Sequence, residues 1–169
     1  MDNFHTKDLS QSSFLITGGA GFIGSHIAEY LLKNGAGKVR VLDNLVNGFQ
    51  SNLDILKQYN QFEFIEGDIR NIDTCQQACT GMDYVSHQAA LGSVPRSIKE
   101  PVYFTEVNIG GFANMLKAAI DNNIKLFMVM SQPYPNRKTR LAIVYHLMPL
   151  LKRQMNYMPR FLQMCMVSN

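Results

Sequence analysis

From residue 13 onward the apolar positions of the chain alternate between two rhythms. Short runs of strand-forming residues, "SFLIT" at 13–17, "KVRVLD" at 38–43, "FEFIEGD" at 62–68, "DYVSHQAA" at 83–90 and "IKLFMVMS" at 124–131, predict five strands. Between them the apolar residues return at helical spacing. Phe22, Ile23, Ile27, Leu31 and Leu32 predict a first helix, with Gly35 just beyond Asn34 as its C-cap. Further helical stretches fall around 72–80 and from about Pro101 to Asn122. Strand and helix in alternation, without hairpin signals, predict right-handed β-α-β units: an α/β, doubly wound parallel sheet covered on both faces.

The pattern changes after Ser131. No aspartate or glutamate follows Asp121, no glycine follows Gly111, and five methionines fall within the last 22 residues. Residues 1–131 therefore read as one unit and 132–169 as an aberrant tail, expected to be poorly ordered. The length of 169 residues suits one domain or part of one. A hydrophobic content of 46% with 17% charge argues against wholesale disorder. The net charge of +3 arises mostly in the tail, so a nucleic-acid partner is not expected. The three cysteines, Cys75, Cys79 and Cys165, have no zinc-ligand spacing, and no metal is expected; small buried side chains in a reducing compartment are the reading. His5, His26, His87 and His146 form no metal set, and His87 reads as a packed strand-end histidine. "MDNFHTKDLSQSS" lacks a leader's apolar region and no stretch approaches a membrane span, so a cytoplasmic protein is expected.

"TGGAGFIG" places Gly18, Gly21 and Gly24 where the first strand hands over to the first helix. The first glycine permits the tight turn, the second lets backbone approach a pyrophosphate, and the third lets helix and strand pack closely, with the phosphates at the helix N-terminus. Phe22 and Ile23, between the last two glycines, belong to the same cofactor-binding turn. Asp43, 19 residues past Gly24 at the end of the second strand, supplies the carboxylate that grips the adenosine ribose. A 2′-phosphate would face a like charge there, and Asn44 and Leu45 offer no cation, so NAD is expected over NADP. The fold expected of residues 1–131 is therefore the N-terminal part of a Rossmann-type NAD domain.

The set "TGGAGFIGSHIAEYLL", "VLDNLVNG", "GDIRN", "HQAALGSVPRSIKEP" and "EVNIGGFANML" resembles the extended short-chain dehydrogenase/reductases, most of all the UDP-N-acetylhexosamine 4-epimerases of bacterial surface-polysaccharide synthesis. The resemblance implies that Asp68 and Ile69 meet the adenine ring, and that Ala89 and Ala90 line the cofactor groove. It places Asn44 and Gly48 beside the adenosine phosphate and has Asn108 brace the nicotinamide side. Gly92 and Ser93 would face the sugar's N-acetyl end, with Arg96 as a further contact. The plainer alternatives are a turn cap for Asp68, caps or solvated groups for Ser93 and Arg96, and a helix-to-loop tie for Asn108. A UDP-sugar is the implied substrate and a homodimer the implied assembly of the intact family.

The family's chemistry uses a tyrosine and a lysine in Y-x-x-x-K on a helix, with a serine or threonine after the fifth strand. The phenolate takes the proton of the sugar 4-hydroxyl while hydride passes to NAD, and the 4-keto sugar is then reduced from its other face. Ser131 stands where the family's serine run begins, but the rest of the run is missing. Tyr134 to Lys138 matches Y-x-x-x-K in letters only, since Pro135 and Asn136 read as turn. The tail accounts for this if it is the right nucleotides in the wrong frame. Joining the last base of each codon to the first two of the next gives alanine at Met148–Pro149, glutamate at Met155–Asn156 and leucine at Asn156–Tyr157. It gives alanine at Met158–Pro159, valine at Met164–Cys165 and glycine at Met166–Val167. It also permits tyrosine at Leu147–Met148 and lysine four positions later at Leu151–Lys152, the order and spacing of the family segment. As written, the chain is expected to be an inactive fragment of such an epimerase. The alternatives are a non-catalytic NAD-binding module whose tail recruits a partner, and a sugar-nucleotide dehydratase.

Overall fold

The computed structural model describes residues 8–129. Ser131 and the tail lie outside the described residues. Five strands, β1 (Ser13–Thr17), β2 (Lys38–Asp43), β3 (Phe62–Glu66), β4 (Tyr84–His87) and β5 (Leu126–Val129), form one sheet in the order β3-β2-β1-β4-β5. Every pairing is parallel, as in Leu15 opposite Arg40 and Val85. The order reverses at β1, and this switch point opens a crevice at the carboxyl ends of β1 and β4.

Alternation along the strands sends side chains to opposite faces, and both faces are apolar, as buried parallel strands require. Leu15, Leu42, Val85 and Phe127 pack against α3 (Ile72–Cys79) and α6 (Phe112–Asp121) through Cys75, Ala78, Met115 and Ala118. Phe14, Ile16, Val39 and Val41 pack against α1 (Phe22–Lys33) and α2 (Gln50–Leu56) through Ile27, Ala28, Leu31, Leu53 and Leu56. α1 buries Ile27, Leu31 and Leu32 of the stripe its spacing predicts but leaves Phe22 and Ile23 exposed, because its first turn faces the crevice rather than the sheet, and Gly35 follows its Asn34 cap at φ 76°, the conformation that relieves a helix end.

The departures from the sequence reading are local. β3 stops at Glu66, two residues short of the predicted end, because Gly67 donates only one further bond, to the Asp43 carbonyl, before the chain turns toward α3. β4 gives up Gln88, Ala89 and Ala90, whose backbone is taken by Thr17 or left facing the crevice. The helix predicted from Pro101 to Asn122 is continuous but not uniform. α5 (Pro101–Thr105) leads into a π-helical turn at Glu106–Gly111, which leads into α6. α4 (Val94–Lys99) was not predicted; it buries none of its residues, so no apolar stripe announces it.

Candidate functional site

The crevice is lined by the glycine turn, the end of β2 with its following loop, and the loop after β4. It encloses about 620 Å³ counted to its open mouth, bounded by Gly18, Asp43, Asn44, Gly48, Ile69 and Ala89 among others. Its shape depends on missing side chains. Gly18 sits at φ 66°, and a Cβ there would lie 2.7 Å from the Ala89 nitrogen. A Cβ on Gly24 would lie 2.3 Å from the Gly18 carbonyl oxygen, so α1 can start against the turn only with glycine at that position. Gly21 is the N-cap of α1 in extended conformation, and no side chain caps the N–H groups of the helix's first turn. Those N–H groups and the helix dipole face an anion naturally. Phe22 and Ile23 stand exposed on that turn, at 77% and 48%.

Asp43 organises the floor. Buried at the end of β2, its Oδ2 accepts the Ala20 N–H at 2.9 Å and its Oδ1 accepts the Leu45 N–H at 2.8 Å. The first bond ties the glycine turn to β2, and the second holds Leu45 in a left-handed conformation at φ 57°. Each carboxylate oxygen keeps a lone pair for a hydroxyl donor from the groove. Gly48 closes the same corner, since a Cβ on it would be 2.6 Å from the Ala20 Cβ and 3.0 Å from Asp43 Oδ1. Asn44 donates to Asp68 Oδ2 at 3.2 Å and accepts the Val46 N–H.

The opposite wall hangs on Thr17, which the sequence reading did not single out. Its hydroxyl oxygen accepts the Gln88 and Ala89 N–H groups, both at 3.2 Å, and lies 2.8 Å from His87 Nδ1. With the oxygen accepting twice, its single proton goes to Nδ1, which assigns the His87 ring proton to Nε2. Burial between Phe112 and Phe127 lowers the His87 pKa to about 4, so the ring is neutral. Burial likewise pushes the thiols of Cys75 and Cys79 up to about 12, which leaves them packing groups.

The other predicted site residues divide into two sets. Ile69, Ala89 and Ala90 line the groove, and Tyr103, Val107 and Leu91 join them without having been predicted. Asp68 is outside the groove lining and joins it through the hydrogen bond from Asn44, its pKa lowered chiefly by the hydrogen bonds from Arg70. Asn108 clasps the loop after β4, its Oδ1 accepting the Leu91 N–H at 2.8 Å and its Nδ2 donating to the Leu91 carbonyl at 3.0 Å. Gly92, Ser93 and Arg96 are outside the groove lining: Gly92 is exposed, Ser93 caps α4, and Arg96 pairs with Glu100 at 3.6 Å. Among the described residues no three metal-ligating side chains cluster, and no helix is long and apolar enough to cross a membrane. The groove fits a dinucleotide on three counts: room for pyrophosphate against bare backbone, an uncapped helix start behind it, and a fixed carboxylate at the end of β2 with lone pairs free for hydroxyl donors.

Comparisons with known proteins find sugar-nucleotide epimerases and dehydratases. A UDP-glucose 4-epimerase of Halalkalibacterium halodurans is 36% identical over 121 residues, covering 70% of this chain and 34% of that protein. The solved UDP-N-acetylglucosamine 4-epimerase of Methanobrevibacter ruminantium M1, in complex with UDP-N-acetylmuramic acid, superposes with a TM-score of 0.68 at 33% identity, over 78% of this chain and 43% of that one. A dTDP-glucose 4,6-dehydratase of Streptomyces venezuelae, solved with NAD bound, superposes with a TM-score of 0.63 at 37% identity, over 66% and 37%. The chain thus spans about a third to two fifths of these relatives. The model of the NAD dependent epimerase/dehydratase family matches residues 14–141, and the chain belongs to that family, whose cofactor is NAD.

Proposed function

We propose that this chain carries the dinucleotide-binding part of a sugar-nucleotide 4-epimerase, of the type that interconverts UDP-GlcNAc and UDP-GalNAc for polysaccharide precursors. The observation that carries the reading is the coupling of Asp43 to the glycine turn through Ala20, which sets a ribose acceptor and a pyrophosphate cradle in one rigid piece. Bound NAD supplies the hydride acceptor. The chain's own residues hold and orient it: the turn at Gly18–Gly24 takes the phosphates, Asp43 the ribose, Asp68 and Ile69 the adenine. Asn108 fixes the loop that carries Gly92 and Ser93 toward the sugar. A UDP-sugar as substrate, a cytoplasmic setting and a homodimer belong to the same reading.

No Y-x-x-x-K occurs among the described residues, and the match at Tyr134 to Lys138 carries a proline and an asparagine that favour a turn in the sequence, so purified protein is expected to show no epimerase turnover. The frame-shifted reading of 132–169 permits the pair, and sequencing across the Ser131 codon tests it; an unbroken frame refutes it. The dehydratase reading has its own support in the 37% identity to the Streptomyces enzyme. Acidic residues after the fifth strand in the restored frame would favour that reading over the epimerase. Calorimetry tests the cofactor assignment directly. NAD is expected to bind and NADP to bind at least about tenfold more weakly, because its phosphate meets the Asp43 charge. Asp43→Asn, checked for fold by circular dichroism, is expected to lose most of the affinity for NAD. Indifference of the folded protein to NAD, or equal uptake by the variant, refutes the assignment.

A further inference from the structure

Arg70 lies on the loop between β3 and α3, directly after Ile69 of the groove lining, and contacts its own loop, α5 and the π-helical turn. Toward Asp68 its backbone N–H reaches Oδ1 at 2.8 Å, its Nε lies 3.1 Å from each oxygen, and its Nη2 reaches Oδ2 at 2.7 Å. Its guanidinium carbon stands 5.1 Å from the centre of the Tyr103 ring on α5, and Nη1 is 3.7 Å from Glu106 Oε2 on the π-helical turn. The same loop is stitched to the same helix twice more. Asn114 Nδ2 donates to the carbonyls of Ile69 and Arg70, at 3.1 and 2.8 Å, and Gly111 admits the Ile69 side chain where a Cβ would be 2.5 Å from it.

We infer that Arg70 is a positioning residue for the adenine end: it locks the Asp68 carboxylate in one orientation and ties that loop to the helix opposite. Base selectivity then depends on a residue that does not touch the base. The inference rests on the NAD reading above. Asp68 accepts from the Arg70 backbone, from its guanidinium and from Asn44, and the Asn44 bond at 3.2 Å is the longest of them. An amino group on the base enters by replacing Asn44, while the fork from Arg70 keeps the carboxylate aimed. Without the Arg70 side chain the carboxylate keeps only the backbone N–H of residue 70 and Asn44, its orientation loosens, and a group that must first be ordered recognises less well. Glu106, half-exposed, and the Tyr103 ring hold Arg70 from the far side.

The probes are NAD and nicotinamide hypoxanthine dinucleotide, which carries a carbonyl in place of the 6-amino group of adenine. The wild-type chain is expected to prefer NAD. Arg70→Met, which keeps the stem and removes the fork, is expected to bind NAD about tenfold more weakly and to lose most of that preference, since hydrogen bonds to a charged group carry this order of free energy. Arg70→Lys should recover part of the affinity and less of the preference, and Glu106→Gln should show a weaker form of the Arg70→Met effect without disturbing the fold. A general loss of structure would weaken both dinucleotides alike, so the preference separates positioning from folding. An unchanged preference in Arg70→Met, or in Glu106→Gln and Arg70→Lys where Arg70→Met does not fold, overturns the role of Arg70 alone. A folded wild-type chain that binds neither dinucleotide overturns the NAD reading and this inference with it.

Discussion

At Gly18 two requirements meet: a left-handed backbone and the Ala89 main chain standing where a side chain would go. Gly18→Ala is therefore expected to cost about 2 kcal/mol or more, from backbone strain plus a collision with main chain that cannot move aside. Gly92→Ala provides the contrast, since nothing lies within 4 Å of its Cβ position and its φ is not left-handed. That substitution should change stability by less than about 0.5 kcal/mol, as exposed positions usually do. Urea unfolding of the two variants measures both. The glycine spacing was legible from sequence because a turn is written in consecutive residues. Thr17 was not, because its partners Gln88 and Ala89 lie 71 and 72 residues on. Asn108 stood out in the sequence with two readings, a brace for the ligand or a tie from helix to loop, and its two bonds to Leu91 make the tie, which spacing along the chain does not reveal.

Among the elements, the strand cores were read closely and their ends less so, since pairing and not propensity decides where a strand stops. β1 and β2 fall where the sequence places them. β4 loses its last three predicted residues to Thr17 and the crevice. Arg40 shows how one residue joins three elements. Nearly buried in β2, it donates Nε to Glu63 on β3 at 2.6 Å. Its Nη1 reaches the carbonyls of Ala78 at 2.7 Å and Thr80 at 2.8 Å, at the end of α3. It thereby satisfies carbonyls that a helix end leaves orphaned. Arg40→Met is expected to destabilise by about 2–4 kcal/mol, since buried carbonyls lose a charged donor. Hydrogen exchange should rise first in α3, and a variant as stable as wild type would show that water replaces the guanidinium.

Across the molecule, the strand order reverses at β1, and the two apolar cores meet through the sheet with His87 at its carboxyl edge. The neutral ring gives stability a defined pH response. Its folded pKa of about 4 lies below the ordinary 6.5, so the unfolded chain takes up the proton first as pH falls. Stability from this residue is full above about pH 6.5, falls through the window down to about 4, and is lower by about 2 kcal/mol at pH 5. Asp68, Asp83 and Glu63, held below their usual values, lose their contributions only at more acid pH. Thermal melts at pH 7 and 5 read the difference, and His87→Leu should flatten it. The alternation of strand and helix, the glycine turn and the acid at residue 43 were determined by sequence alone, because each is a pattern of near neighbours or of a fixed spacing along one β-α-β unit. What only the tertiary structure decided is how those pieces are held: Asp43 on Ala20, Thr17 under the β4 loop, Asn108 on Leu91, Arg70 between Asp68 and Glu106. Most of these bonds join residues 17 to 72 positions apart, and their partners are set by how the sheet stacks its ends, which no local periodicity encodes.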